Sequence, residues 1–111
     1  MAYDEDLANR IREQLADETA ITEKAMFGGL AFLLNGNMSV GVSGQGGLMV
    51  RVGRDGNDDA LAQPHARPFE MRGRAMDGWV RVAAEGVESD AALEDWVRRG
   101  TGFARTLPPK A

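Results

Sequence analysis

The sequence contains no cysteine and only one histidine, His65, among its 111 residues. The lack of thiols excludes disulfide bonds, thiolate nucleophiles and cysteine-ligated zinc sites. No serine lies in a G-x-S-x-G motif, and His65 has no nucleophile close to it in the sequence. We therefore expect His65 to lie in a loop or on the surface, and we predict that the protein is not an enzyme.

The sequence also lacks a long apolar run and a basic leader. No stretch approaches the roughly 18 apolar residues that a membrane-spanning helix needs. The N-terminus is acidic, with Asp4, Glu5 and Asp6, where a signal or transit peptide would be basic. The length is typical of one domain. These features predict a cytoplasmic protein without a membrane segment, folded as a single domain over residues 1–111.

Charge of one sign is in modest excess, since 13 Lys and Arg face 17 Asp and Glu and give a net charge of −4. The acidic excess lies in residues 1–34, whereas residues 35–84 carry five acidic and six basic residues. A nucleic-acid footprint would require clustered bases. The middle segment supplies candidates for an interaction patch, namely Arg51, Arg67, Arg72, Arg74 and Arg81. The alternative interpretation is a solvated face, partly neutralised by Glu70 and Asp77; Arg72 and Arg74 would align if they shared one sheet face.

The N-terminal half predicts a helix followed by three strands. Leu7, Ile11 and Leu15 are spaced for one helix face, and Asp4 is the expected N-cap. Residues 17–24 show no periodicity and are predicted to be a connection. Apolar residues then fill 26–34 and alternate in 38–42 and 48–52, separated by turns at 35–37 and 44–47. This pattern predicts a β-meander.

The C-terminal half predicts a short helix, two strands and a final helix. The short helix covers residues 60–62, with Asn57 or a neighbouring Asp as its cap, and the strands lie around 69–72 and 79–83, joined near 76–78. Ser89 is the expected cap of the final helix, in which Gly100 and Gly102 suggest close approach to another backbone. The predicted fold is α+β, with two layers and an antiparallel five-stranded sheet, in the order α-β-β-β-α-β-β-α.

Two glycine-containing loops superficially resemble ligand sites. Residues 44–47 resemble a phosphate-binding loop, but a strand follows them where a helix is needed, so we predict a hairpin turn. Residues 55–59 resemble the start of a calcium loop, yet Ala60 and Ala66 occupy the positions that require Gly and Glu. We expect no metal and no cofactor. Five internal methionines are expected to fill the core, although they could instead form an adaptable binding surface: Met26, Met38, Met49, Met71 and Met76.

Several of these residues together resemble the TfoX/Sxy N-terminal domain family. They are Met26, Phe27, Gly28 and Gly29, then the glycine-containing hairpin and residues 48–52, then Pro68 and Phe69, and finally Trp96 in the last helix. The resemblance covers roughly residues 10–107. It implies a two-layer domain with an antiparallel sheet, a link to the regulation of natural competence genes, and no catalytic residues to transfer. Competence regulators of this family are longer and carry a helical C-terminal domain, so we expect a stand-alone member without it.

The first functional hypothesis is therefore a non-enzymatic regulatory or protein-interaction domain with a protein partner. The second is a nucleic-acid-associated transcriptional regulator that uses the arginine patch. A third hypothesis is a small-molecule-binding or enzymatic domain that uses carboxylates and arginines in a pocket. Homodimerisation is a further hypothesis, because the edge strands of an open sheet need cover.

Overall fold

The computed structural model describes residues 3–26 and 28–110. The elements in chain order are α1 (Glu5–Gln14), β1 (Ile21–Met26), β2 (Gly29–Leu34), β3 (Asn37–Val42), β4 (Leu48–Arg51), α2 (Gly53–Leu61), β5 (Ala66–Met71), β6 (Arg74–Val82), a 3₁₀ turn (Ala84–Val87) and α3 (Asp90–Arg105).

All six strands form one antiparallel sheet in the order β1-β2-β3-β4-β6-β5. The α+β class is confirmed, but the prediction of five strands in the order α-β-β-β-α-β-β-α is wrong. The additional strand is β1, which lies largely within the predicted connection. It pairs with β2 along its whole length, from Ile21 opposite Leu34 to Met26 opposite Gly29. Because its four middle residues are exposed, β1 has no apolar alternation from which it could be predicted.

Within the apolar run at 26–34, Met26 ends β1 and Gly29–Leu34 form β2. Gly28 has a φ of 75°, a left-handed conformation that glycine adopts without steric cost, and β2 begins at Gly29. A side chain at Gly29 would overlap the carbonyl oxygen of Val42. This close backbone contact accounts for a glycine at position 29, whereas a single strand from 26 to 34 is wrong.

Helix α2 is longer than predicted and begins differently. It starts at Gly53 and contains residues 55–59, and no side chain caps its first turn. Asn57 is not the N-cap, since it lies within the helix and its Oδ1 accepts a hydrogen bond from the backbone N–H of Gly78 at 3.1 Å. Asn57 therefore connects α2 to β6.

The β5–β6 hairpin turns at Arg72 and Gly73, which have φ values of 55° and 77°. The predicted turn at 76–78 is wrong, because those residues lie within the nine-residue strand β6. Pro68 lies inside β5, and an edge strand tolerates a proline because its outer N–H has no ladder partner.

The predicted caps of α1 and α3 are confirmed. Asp4 Oδ1 accepts hydrogen bonds from the N–H groups of Asp6 and Leu7, and Ser89 Oγ accepts one from Ala92 N–H. The predicted turns at 35–37 and 44–47 also connect strands, the second through a hydrogen bond from the N–H of Ser43 to the carbonyl of Gly47.

The three helices cover one face of the sheet, which confirms the two-layer arrangement. Their buried apolar side chains join those of four strands in one cluster, represented by Ile11, Phe32, Val50, Leu93 and Trp96. Gly100 lets α3 approach β3, because a Cβ at that position would lie 2.5 Å from the carbonyl oxygen of Ser39. Gly102 makes no comparable approach, so that expectation holds for Gly100 alone.

Candidate functional site: the open face of the sheet

The second face of the sheet, here called the open face, has its own apolar cluster without a helix over it. Ala31, Met38 and Met49 are buried there, and no side chain of the described helices belongs to the cluster. Gly41 makes this burial possible: a Cβ on it would lie 3.0 Å from Met49 Cε and 3.1 Å from Met38 Cε. The two methionines therefore occupy the space that a side chain at position 41 would fill.

Larger apolar side chains border this cluster and remain partly exposed. They are Met26, Leu33, Phe69 and Trp79. The rings of Phe69 and Trp79 have centroids 6.2 Å apart and are tilted by 36°. The open face thus presents an aromatic and methionine-rich floor to its surroundings, a composition that suits an adaptable contact surface.

Strand register places a series of cations on the same face. Residues directly opposite in an antiparallel pair share a face. Lys24 is opposite Ala31, and Arg51 is opposite Trp79. Arg81 is opposite Met49 on one side and Arg67 on the other. Four cations on four strands therefore point to the same side as the apolar floor.

Arg51 is held between two aromatic rings. Its Cζ lies 5.4 Å from the centroid of the Trp79 ring and 5.3 Å from that of Phe103, which belongs to α3. Both distances are within the range of cation–π attraction. The rings orient the guanidinium but do not neutralise its charge.

A concave region of about 660 Å³, here called the tryptophan groove, lies beside Arg51. Its lining residues are Thr22, Lys24, Met26, Leu33, Gly36, Met38, Arg51, Trp79 and Lys110. Among the described residues that line it, three are cations and none carries a carboxylate. Lys110 is placed there by its backbone N–H, which donates to the carbonyl of Asn35 at 2.8 Å.

A second concave region of about 750 Å³, here called the arginine pocket, lies towards the β3–β4 turn. Its lining residues are Ser43, Gln45, Arg67, Pro68, Phe69, Glu70, Met71, Arg72, Gly73 and Arg81. Arg81 is fixed by the turn: its Nη1 donates to Gln45 Oε1 at 2.9 Å, and its Nη2 donates to the carbonyls of Gln45 and Gly46 at 2.9 and 3.2 Å.

Five arginines on the helical side form ion pairs with carboxylates. The pairs are Arg10–Asp90, Arg12–Glu23, Arg98–Glu94, Arg99–Asp59, Arg99–Asp95 and Arg105–Glu18. Within residues 3–26 and 28–110, by contrast, Lys24, Arg51, Arg67, Arg72 and Arg81 form no ion pair.

Ion pairs on the helical side shift the pKa of three groups, Glu23, Arg12 and Arg99. The hydrogen bonds from Arg12 lower the pKa of Glu23, and the same contact raises the pKa of Arg12. The carboxylates of Asp59 and Asp95 raise the pKa of Arg99, the hydrogen bond to Asp59 contributing most.

The model of the TfoX N-terminal domain family matches residues 13–104, which is most of the chain. The chain belongs to this family. A comparison with curated proteins found no match. Among the described residues, no helix of the TfoX N-terminal domain is long and apolar enough to cross a bilayer.

The family-motif residues do not converge on one site in this TfoX N-terminal domain. Met26 and Phe69 border the apolar cluster of the open face. Trp96, on α3, is buried in the core of the covered face, and Arg99 Cζ lies 5.1 Å from the centroid of its ring. The other three motif residues have backbone roles: Gly28 adopts a positive φ, Gly29 allows close approach to β3, and Pro68 lies in the edge strand β5. Phe27 lies outside the described residues.

The predicted arginine patch is divided between three environments. Arg67 and Arg81 line the arginine pocket with Arg72, and Arg51 lines the tryptophan groove. Arg74 lines neither region. Period-2 alignment of Arg72 with Arg74 does not apply, because Arg72 lies in the turn. His65 is exposed between α2 and β5.

Lys24, Gln45 and Lys110 belong to the open face and were not among the predicted site residues. Lys24 lies in the strand that sequence patterning missed, and Gln45 in a turn that resembles any other hairpin turn. The charge of Lys24 is visible in the sequence, but its significance depends on the pairing of Lys24 with Ala31 of the apolar strand β2, which only the structure shows.

Proposed function

We propose that this TfoX N-terminal domain is a non-enzymatic regulatory interaction domain, whose tryptophan groove docks an acidic, apolar-containing segment of another protein. The observation that carries the proposal is the combination in one groove of an apolar floor, three cations and no carboxylate. Interaction surfaces typically join an apolar, aromatic-rich centre to a polar rim.

Charge complementarity defines the chemistry of the partner. Arg51 is oriented by Trp79 and Phe103, and Lys24 and Lys110 stand at the rim of the groove. Arg binds carboxylates through parallel N–H···O bonds, and its planar group stacks on aromatic rings at the same time. An Asp or Glu side chain would neutralise Arg51, while a neighbouring Leu, Met or Phe would cover the floor.

A second copy of the chain fits the groove less well than an acidic partner. Docking of two open faces would bring Lys24, Arg51 and Lys110 of each copy against cations of the other. Such juxtaposed like charges oppose association. We therefore propose a different protein as the occupant.

The proposal is tested with a fluorescein-labelled peptide that alternates Glu and Leu, by fluorescence anisotropy at low ionic strength. We expect saturable binding that weakens as salt is added, with the dissociation constant raised at least tenfold in the Lys24→Gln plus Arg51→Gln variant. The matched control, Arg54→Gln plus Arg74→Gln, removes the same charge from residues that line neither concave region. Loss in the control as large as in the groove variant would contradict docking in the groove, and so would a Glu–Ser peptide that binds equally well.

A nucleic-acid partner is the second candidate, and one observation favours it. Phe69 and Trp79 lie on the same sheet face as the arginines, and aromatic rings beside cations can stack single-stranded bases. Arg51 already covers the Trp79 ring, which leaves less of it for stacking. Labelled single-stranded DNA in the same assay decides between the two: saturable DNA binding with a steep salt dependence, in the absence of peptide binding, would replace the protein partner by a nucleic acid.

A further inference from the structure

We infer that the arginine pocket is a binding site for a phosphate group, carried either by a small molecule or by a phosphorylated side chain. This inference concerns a different part of the open face from the tryptophan groove and does not depend on the proposed docking there.

The first argument is a pair of like charges. Arg67 and Arg81 are directly opposite each other on β5 and β6. Like charges at such positions destabilise a sheet. In the chain as described, neither guanidinium has a carboxylate partner that would relieve the repulsion. An anion bound between the two would turn an unfavourable pair into a favourable site.

The second argument is the pre-orientation of Arg81. Three of its five N–H donors are used on Gln45 Oε1 and on the carbonyls of Gln45 and Gly46. Those carbonyls fix the plane of the guanidinium without cancelling its charge, and two N–H donors remain. A group held in this way loses little side-chain entropy when it binds a ligand.

The third argument is the balance of charge in the pocket. Arg72, in the β5–β6 turn, adds a third cation, and Glu70 is the one acidic residue among the lining residues. The balance is two positive charges, which matches a phosphate monoester of about −1.5 to −2 at neutral pH. Guanidinium groups bind phosphate oxygens through paired N–H donors, so a tetrahedral dianion suits this set better than a single carboxylate does.

The test is a titration with sodium phosphate, followed by two-dimensional NMR of the backbone amides and arginine Nε–H groups. Sodium chloride at the same ionic strength is the control. We expect saturable shifts at Arg67, Arg81 and residues 43–47, with the dissociation constant raised at least tenfold in Arg67→Gln and less than twofold in Arg74→Gln. Among the described residues, the exposed Arg67 side chain has no hydrogen bond or ion pair that its replacement would remove, so we expect the variant to retain the fold.

Two further arms identify what carries the phosphate. Glycerol 3-phosphate and a short phosphoserine peptide are compared with inorganic phosphate, and the unphosphorylated peptide serves as the blank. Tighter binding of one arm than of free phosphate assigns the source. Shifts that chloride reproduces, or that persist unchanged in Arg67→Gln, would overturn the site. Loss of binding of the Glu–Leu peptide would not affect it, because that peptide reports on the tryptophan groove.

Discussion

The same strands form both faces of the sheet, but the faces differ in how far their apolar side chains are covered and in whether their arginines are paired with carboxylates. On the covered face, helices bury Phe32, Leu93 and Trp96, and Arg10 and Arg99 are paired with carboxylates beside that layer. On the open face, methionines and aromatics remain partly exposed, and Arg67 stands opposite Arg81 without an acid between them. The covered face therefore holds the packed core, whereas the open face keeps partly exposed apolar side chains and, among the described residues, cations without an ion pair.

The largest expected effect comes from removing a large side chain on each face. Phe32 is fully buried, so Phe32→Ala should lower the free energy of unfolding by about 3–5 kcal/mol. Trp79 is only half-buried, so Trp79→Ala should cost clearly less although it removes more atoms. Denaturant unfolding of both variants measures the difference. An equal loss at Trp79 would mean that the open face is as important to the fold as the covered one.

Next in size is the close approach between α3 and β3. Gly100→Ala places a Cβ 2.5 Å from the Ser39 carbonyl oxygen and 2.6 Å from Val40 Cγ1, so the helix must shift at a cost of about 1–3 kcal/mol. Gly102 has open space, so Gly102→Ala should raise stability by about 1 kcal/mol through helix propensity. Thermal unfolding of the two variants measures both signs. A gain in stability at both positions would refute the contact between α3 and β3.

A third prediction compares one arginine from each side. Arg99 donates to Asp59 at 2.8 Å and to Asp95 at 3.2 Å, so Arg99→Gln should cost about 0.5–1 kcal/mol. Arg67→Gln should instead stabilise the unliganded protein by about 0.2–1 kcal/mol, because it removes the repulsion from Arg81. Chemical unfolding at low salt shows both effects, and 1 M salt should shrink them. A destabilised Arg67→Gln protein would mean that the residue contributes to the fold after all.

The smallest effect is an acid dependence on the helical side. Arg12 donates to both oxygens of Glu23 at 2.7 Å and lowers its pKa below the usual value of about 4.5. Because the folded-state pKa lies below the unfolded one, the stabilisation is complete above about pH 4.5 and is lost as the pH falls through the folded-state value. In a pH series of unfolding curves, Glu23→Gln should flatten the decline at acid pH. An unchanged slope would show that other carboxylates account for it.

The sequence allowed the elements with strong local signals to be predicted. Asp4 and Ser89 are capping residues followed by an apolar stripe, and both helices begin where these residues indicated. Apolar residues alternate along the sequences of β3 and β4, and the glycines between these strands form the expected turn. Such signals are confined to a few neighbouring residues, so the local structure that they predict does not depend on long-range contacts.

The errors arose where long-range contacts decide the structure. Strand β1 exists because β2 offers it a partner, not because its own residues alternate. Helix α2 begins without a cap and is instead tied to β6 through Asn57, which is 21 positions from Gly78 in sequence. Arg72, one of the predicted patch residues, was expected in a strand but lies in the turn between β5 and β6.

The candidate site shows the same division. The sequence alone determined the family, the α+β class and the supply of arginines in the middle of the chain. Only the tertiary structure decided that Lys24, Arg51, Arg67 and Arg81 share one face and that helices leave this face uncovered. The physical reason is that charge compensation and burial depend on which strands become neighbours, and that pairing is set by the whole sheet rather than by any local stretch of residues.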